Sequence, residues 1–279
     1  MSRQEEQKTG GERMQGKRAE WEKACREYPD LSPFVLLKMS MVWHGAVLTE
    51  AALDRLQEPD YCFGKLEPFG ISFGGRPADK VMPGGILLRD ATFVYINYGE
   101  NYRDPYQIDW DAGRGEFLLK EGEDVIDTVD FVPRPQFFGK TTSRGTPMEA
   151  VAEARAQKLI LTAYQKCRLW EGGKQCHFCA FFTGGHSLGE VDCEDVYETV
   201  REALKEPGRF SEIYLSGGTD FGGEPPFSRE VERYIRVLQA IGRNFSGRFS
   251  SQLMAPAYSR KILEHIYKET GLTSYCPNI

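Results

Sequence analysis

The spacing of apolar positions changes character near Thr146, and the second half of the chain has the clearer rhythm. Thr146-Pro147-Met148-Glu149 reads as a capping box with proline at the first helical position. It predicts a helix to about Gln157, which delivers the chain into an apolar strand over Lys158–Ala163. Asp192 is placed to cap a helix whose Val196, Val200, Ala203 and Leu204 share one face. Glu212–Leu215 predicts a second strand, ending in Ser216-Gly217-Gly218-Thr219. Ser228 is expected to cap a helix with Val231, Ile235, Leu238 and Ile241 on one side. Phe249–Met254 predicts a third strand, and Ser259 opens a helix through Ile262, Leu263 and Ile266 that stops at Gly271. Thr273–Cys276 starts a fourth strand. Strands alternating with helices of that length make βαβ units and a parallel sheet or barrel, with the active loops at the C-terminal strand ends.

The first half is patterned differently. Residues 1–20 are charged and predict a disordered leader. Residues 21–146 predict a smaller β-rich or α+β accessory module, with strands at Ile86–Leu88, Thr92–Tyr98, Glu116–Lys120 and Val125–Val132. Gly122, between the last two, supplies the positive φ that a hairpin loop needs. Residues 147–279 then form the α/β domain.

Composition narrows the function classes. A chain of 279 residues with 41% hydrophobic residues can bury a proper core. A net charge of −6 with both signs mixed carries no electrostatic footprint for nucleic acid. No apolar run approaches membrane-spanning length and the N-terminal stretch has no apolar signal core, so a cytoplasmic protein is expected. In a reducing compartment, seven cysteines with three of them clustered favour metal binding over disulfides.

Those three are Cys167, Cys176 and Cys179, in CRLWEGGKQCHFCAF just past the first predicted strand. Three soft thiolates in one loop suit a thiophilic metal or an iron–sulfur cube with one iron left open. A structural Cys3His zinc site completed by His177 or His186 is a second reading. A third is an electron-transfer cluster completed by Cys193 or Cys276.

With Phe178 before the last cysteine and the Ser216–Thr219 loop after the next strand, this stretch resembles the radical S-adenosylmethionine (SAM) superfamily, over about residues 147–279. The resemblance implies a partial parallel (β/α) TIM-type barrel and an oxygen-sensitive, oxidoreductase-type enzyme. Cys167, Cys176 and Cys179 would hold a [4Fe–4S] cluster whose open iron binds SAM. Reductive cleavage would give a 5′-deoxyadenosyl radical that abstracts hydrogen from a small-molecule or cofactor-precursor substrate. Phe178 would lie near the adenine, and Ser216, Gly217, Gly218 and Thr219 would receive the SAM amino group. Asn278 matches the ribose-contacting asparagine of biotin synthase-like members, and a flavodoxin- or ferredoxin-type reductant is implied. Two departures stand out: the cysteine spacing is C-x8-C-x2-C, and Thr219 replaces the usual acid. A chain ending in a fourth strand is also expected to be a truncated form of such a barrel.

Overall fold

The computed structural model describes residues 16–58, 85–95, 104–132, 135–155, 157–177, 179 and 189–278. These fall into two compact units, one up to Val132 and one from Pro135 onward, each with its own hydrophobic core.

In the first unit, helices α1 (Lys17–Glu27), α2 (Pro33–His44) and α3 (Glu50–Leu56) accompany strands β1 (Ala46–Leu48), β2 (Gly85–Leu88), β3 (Phe93–Tyr95), β4 (Tyr106–Asp111), β5 (Glu116–Glu121) and β6 (Asp124–Phe131). The strands form one mixed sheet in the order β1-β4-β5-β6-β2-β3, parallel only between β1 and β4. The β5–β6 hairpin turns through Gly122 at φ +58°, as the sequence predicts. Ile86, Tyr106, Ile108, Phe117, Leu119 and Phe131 bury one sheet face against Leu37, Met41 and Leu56 of the helices. Lys17, at the start of α1, is buried, with Nζ 2.6 Å from Asp104 and 3.5 Å from Glu121. The predicted strand Thr92–Tyr98 is seen as Phe93–Tyr95, and residues 96–98 lie outside the described ones.

The second unit contains α4 (Met148–Val151), β7 (Ala152–Arg155), β8 (Lys158–Thr162), α5 (Arg168–Glu171), α6 (Cys193–Ala203), β9 (Glu212–Ser216), α7 (Ser228–Gly242), β10 (Ser251–Pro256), α8 (Arg260–Thr270) and β11 (Ser274–Asn278). Its sheet runs β11-β10-β9-β8-β7, with β8 to β11 parallel and β7 antiparallel. Sequential parallel strands joined by right-handed crossovers carry their helices on one face. Accordingly α6 packs on α7 and α7 on α8. Leu159, Leu161, Ile213, Leu215 and Leu253 meet Val196, Val200, Ile235, Leu238 and Ile266 in the core. Strand alternation sends Ile160, Thr162, Tyr214, Ser216 and Gln252 to the opposite face.

The fold is thus α/β, as expected, and the described residues carry no feature specific to a radical SAM partial barrel. Among the described residues the sheet is an open array with edges at β7 and β11.

The helix expected from Thr146 to Gln157 is corrected. Only Met148–Val151 is helical, and the chain then reverses as β7 to pair with β8. The capping-box partners are drawn into tertiary bonds instead. Thr146 Oγ1 donates to Asp195 (2.7 Å) and Glu149 accepts from the Gly139 amide (3.1 Å). Asp192 does cap α6, accepting from the Glu194 amide at 2.8 Å. Ser228 does not cap α7; it is the first helical residue, after Phe227 at φ +71°.

Candidate functional site

The loops leaving β8 and β9 are bolted together through the glycine pair. The Gly218 amide donates to the Tyr164 carbonyl (2.8 Å), and the Arg168 amide donates to the Thr219 carbonyl (2.9 Å). A Cβ on Gly218 would lie 1.9 Å from the Lys166 carbonyl oxygen and 2.8 Å from the Cys167 Cβ. Gly217 is less confined, since a Cβ there would lie 3.1 Å from the Tyr234 hydroxyl. Glycine is therefore required at Gly218 for loop-to-loop approach. Ser216 is buried at the end of β9, opposite Thr162 in register, and Asn278 is exposed on the edge strand β11.

Beyond the glycines lies a buried polar network. Glu230 accepts from the Tyr258 hydroxyl and from the Asp220 amide, and burial pushes its carboxyl up. Asp220 is held down despite burial, by the Gly222 amide and by Arg233, whose guanidinium stacks 4.0 Å over Tyr164.

The cysteines do not assemble. Cys167 is buried at the N-terminal end of α5, against the Gly218 backbone, while Cys176 is exposed and Cys179 half-buried. The residues between the first two wind into α5 and a turn closed by the Lys174 amide on the Leu169 carbonyl (2.7 Å). Cys179 is tied to Cys176 by an ordinary turn bond, its amide donating to the Cys176 carbonyl at 3.0 Å. Cys193 lies on α6 and Cys276 on β11. Phe178 and His186 lie outside the described residues. Among the described residues no group of three or more His, Cys, Asp or Glu side chains could hold a metal ion.

That finding overturns the chemistry expected from the cysteine motif. The [4Fe–4S] cluster, SAM as its ligand and radical SAM oxidoreductase activity all lose their ligand set, and so do the Cys3His zinc site and the electron-carrier alternative. The flavodoxin- or ferredoxin-type reductant was implied only by that cluster. Comparison with protein families, curated proteins and solved structures finds no match, so nothing there restores the superfamily resemblance. No helix among the described residues is long and apolar enough to cross a membrane.

A different constellation emerges at the β7 edge of the sheet, where Glu153, Ile160 and Thr162 share the face turned away from α6 to α8. A small cleft, open to solvent, is walled by the Glu149–Glu153 segment, Ile160, Thr162 and Gln165. Antiparallel pairing puts Glu153 beside Ile160, and the β8 strand carries on to Thr162 and Gln165. Thr162 and Gln165 are buried, and the Glu153 side chain is only 13% exposed. The partner of Glu153 is Arg155, its Nη2 3.5 Å away, too long to offset the lost hydration. Burial pushes the Glu153 carboxyl up to about 7, against the pull of Arg155. This carboxyl can therefore give or take a proton near neutral pH.

Glu153 carries no site signal in the sequence, because it falls inside the helix that the capping box predicts. The period-two alternation Ala152-Glu153-Ala154-Arg155 is the signal that could have found it, since it matches a short strand with one small and one charged face.

Proposed function

We propose that the second unit binds a small molecule in the pocket beside Glu153, and that the protonation state of this carboxyl governs what is held. The observation that carries the reading is a carboxyl on a pocket wall, largely removed from water and titrating near neutrality. Ligand sites combine an apolar lining with a few convergent polar groups. Here Ile160 is the apolar side chain, the Val151–Ala152 segment forms one rim, and Glu153, Thr162 and Gln165 are the polar part. In α/β sheets, ligands gather at the C-terminal strand ends. Thr162 is the last residue of β8 and Gln165 follows it, so the pocket reaches that end. The buried network frames the neighbouring loops, Glu230 accepting from the Tyr258 hydroxyl and the Asp220 amide, and Arg233 donating to Asp220.

The test is a fragment screen by protein-observed NMR, with neutral, anionic and cationic fragments at pH 6 and pH 8. Saturable shifts of the Thr162 and Ile160 methyl resonances, weakened or lost when Glu153→Ala removes the carboxyl, are expected. A protein on which no fragment gives a saturable shift at these methyls overturns the reading.

A further inference from the structure

We infer that the outer face of α2 is a self-association surface, on which two copies of the chain pair about a twofold axis. The inference concerns the first unit and is independent of the Glu153 cleft in the second.

Helix α2 is apolar on both sides. Of its 12 residues only Lys38 and His44 carry an ionisable side chain. Leu37 and Met41 turn into the core of the first unit. Two bonds pin that inner side, Ser40 Oγ to the Tyr106 hydroxyl (2.8 Å) and Trp21 Nε1 to the Pro33 carbonyl (2.8 Å). The outer side carries Val35, Met39 and Trp43, which are 40%, 62% and 80% exposed. Spaced four residues apart, they form one ridge along the helix. Leu31, 47% exposed, lies just before the helix begins. Single exposed apolar residues are ordinary, but a helix apolar all round is one that is covered all round.

The area of the ridge matches what a second copy would cover. The exposed parts of these four side chains amount to roughly 500 Å2, on a scale where a whole aromatic side chain offers about 150–250 Å2. A standard interface takes about 800 Å2 from each partner, and homodimer interfaces are about 65% apolar. A stable pair therefore needs roughly 500 Å2 of carbon surface per copy.

Charge argues against the other occupants. Helices that lie on lipid hold themselves there with lysine and arginine on the polar face, and α2 offers Lys38 alone, with the acidic Glu27 and Asp30 just before it. A different protein chain is selected by complementary charge, and the ridge carries none. Symmetry supplies the complementarity instead, because a twofold interface sets one patch against itself. With the axis at Met39 and the two helices antiparallel, Met39 meets its own counterpart. Val35 then meets Trp43 of the second copy, a small side chain against a large one at each end. Methionine adapts to such a contact, and tryptophan is the residue type most enriched among those that carry binding energy.

The test is sedimentation velocity of the full chain between about 1 and 200 µM, the range in which an interface of this size associates. A reversible monomer–dimer equilibrium that survives 0.5 M NaCl is expected for wild type. Met39→Asp, which sets two like charges at the axis, should weaken the dimer about 100-fold or more, and Trp43→Ala should weaken it by about 30-fold. Both positions are exposed, so circular dichroism should be unchanged in each variant. A chain that stays monomeric at 200 µM overturns the inference, as does a dimer equally tight in both variants. Species that keep growing beyond the dimer overturn it too, since a twofold contact closes. A monomer that floats with phosphatidylcholine–phosphatidylserine vesicles assigns the ridge to lipid and overturns it as well. Should Met39→Asp not fold, Trp43→Ala decides whether the wild-type dimer uses this face.

Discussion

The Cα of Gly218 faces the Lys166 carbonyl so closely that a methyl group there would lie 1.9 Å from the oxygen. The contact is backbone against backbone, so neither partner can swing a side chain aside. Gly218→Ala is expected to cost about 2–3 kcal/mol, at the upper end of overpacking effects, by forcing the β8 and β9 loops apart. Chemical denaturation followed by tyrosine and tryptophan fluorescence measures it. Gly173→Ala, in a loop where a Cβ would meet nothing within 4 Å but φ is +65°, is the control and should cost about 1 kcal/mol.

Glu153 sets a pH dependence with a definite sign. Its folded carboxyl titrates near 7, above the ordinary value of 4.5. The native state therefore holds a proton that the unfolded state has lost between those values, and stability falls as pH rises from about 4.5 to 7. The fall is at most about 3.5 kcal/mol from this group, since a tenfold change in its acidity is worth about 1.4 kcal/mol. Glu153→Gln should flatten the profile over that window and leave the protein more stable than wild type at pH 8. Denaturation midpoints at half-unit pH intervals check both. Glu230, also pushed up by burial, adds a fall in the same direction that persists in the variant.

The first unit responds to acid in the opposite sense. Glu121 is held below its usual range despite burial, by the amides of Arg18 and Lys17 and by the Lys17 ammonium. Its contribution is present above about pH 4.5 and is lost as pH falls through the depressed value. Lys17→Met keeps the apolar stem but removes the charge 2.6 Å from Asp104 and 3.5 Å from Glu121. A loss of about 2 kcal/mol is expected at pH 7, between the values for exposed and fully buried pairs. A reduced acid sensitivity of the first-unit signal should accompany it in circular-dichroism titrations.

How much of this could be read from the chain varies by element. Strands β8 to β11 and helices α6 and α8 were legible because a continuous apolar run or a 3.6-residue stripe leaves little choice of face. Asp192 and Gly271 mark their helix ends as the sequence leads one to expect, Gly271 at φ +65°. β7 was not legible, because its four residues are strand only by virtue of pairing with β8. Thr146 and Glu149 carried a strong local helix signal that long-range partners, Asp195 and Gly139, redirected. The cysteine motif misled for a related reason. Spacing alone places Cys167, Cys176 and Cys179 near one another along the chain, but the packing of Cys167 under Gly218 separates its environment from that of the exposed Cys176.

Thiol labelling tests that separation. Cys176 and Cys276 are exposed and should react with a maleimide in the native protein within minutes. Cys167, buried, and Cys193, whose thiol burial pushes up, should react only on unfolding or many-fold more slowly. Mass spectrometry of peptides after pulse labelling gives the order. Protection of Cys176 equal to that of Cys167 would contradict the arrangement.

Asp195 links the segment before α4 to α6. It accepts from Thr142 Oγ1 and Thr146 Oγ1, each at 2.7 Å, and is 5% exposed. Asp195→Ala strands two hydroxyls and should cost about 2–3 kcal/mol, with hydrogen exchange quickening in residues 140–151. Asp195→Asn, which retains one acceptor oxygen, should cost roughly half as much by the same reasoning.

The pocket is made almost entirely of one contiguous stretch, Glu149 to Gln165, folded back on itself at the β7–β8 turn. Closing so short a loop forfeits little chain entropy, whereas the parallel pairings of β8 with β9 and β9 with β10 must each wait for an intervening helix. The recognition surface can thus be shaped from local contacts before the rest of the sheet is recruited. Its contour is set by a hairpin, and the later strands have the separate task of making that hairpin permanent.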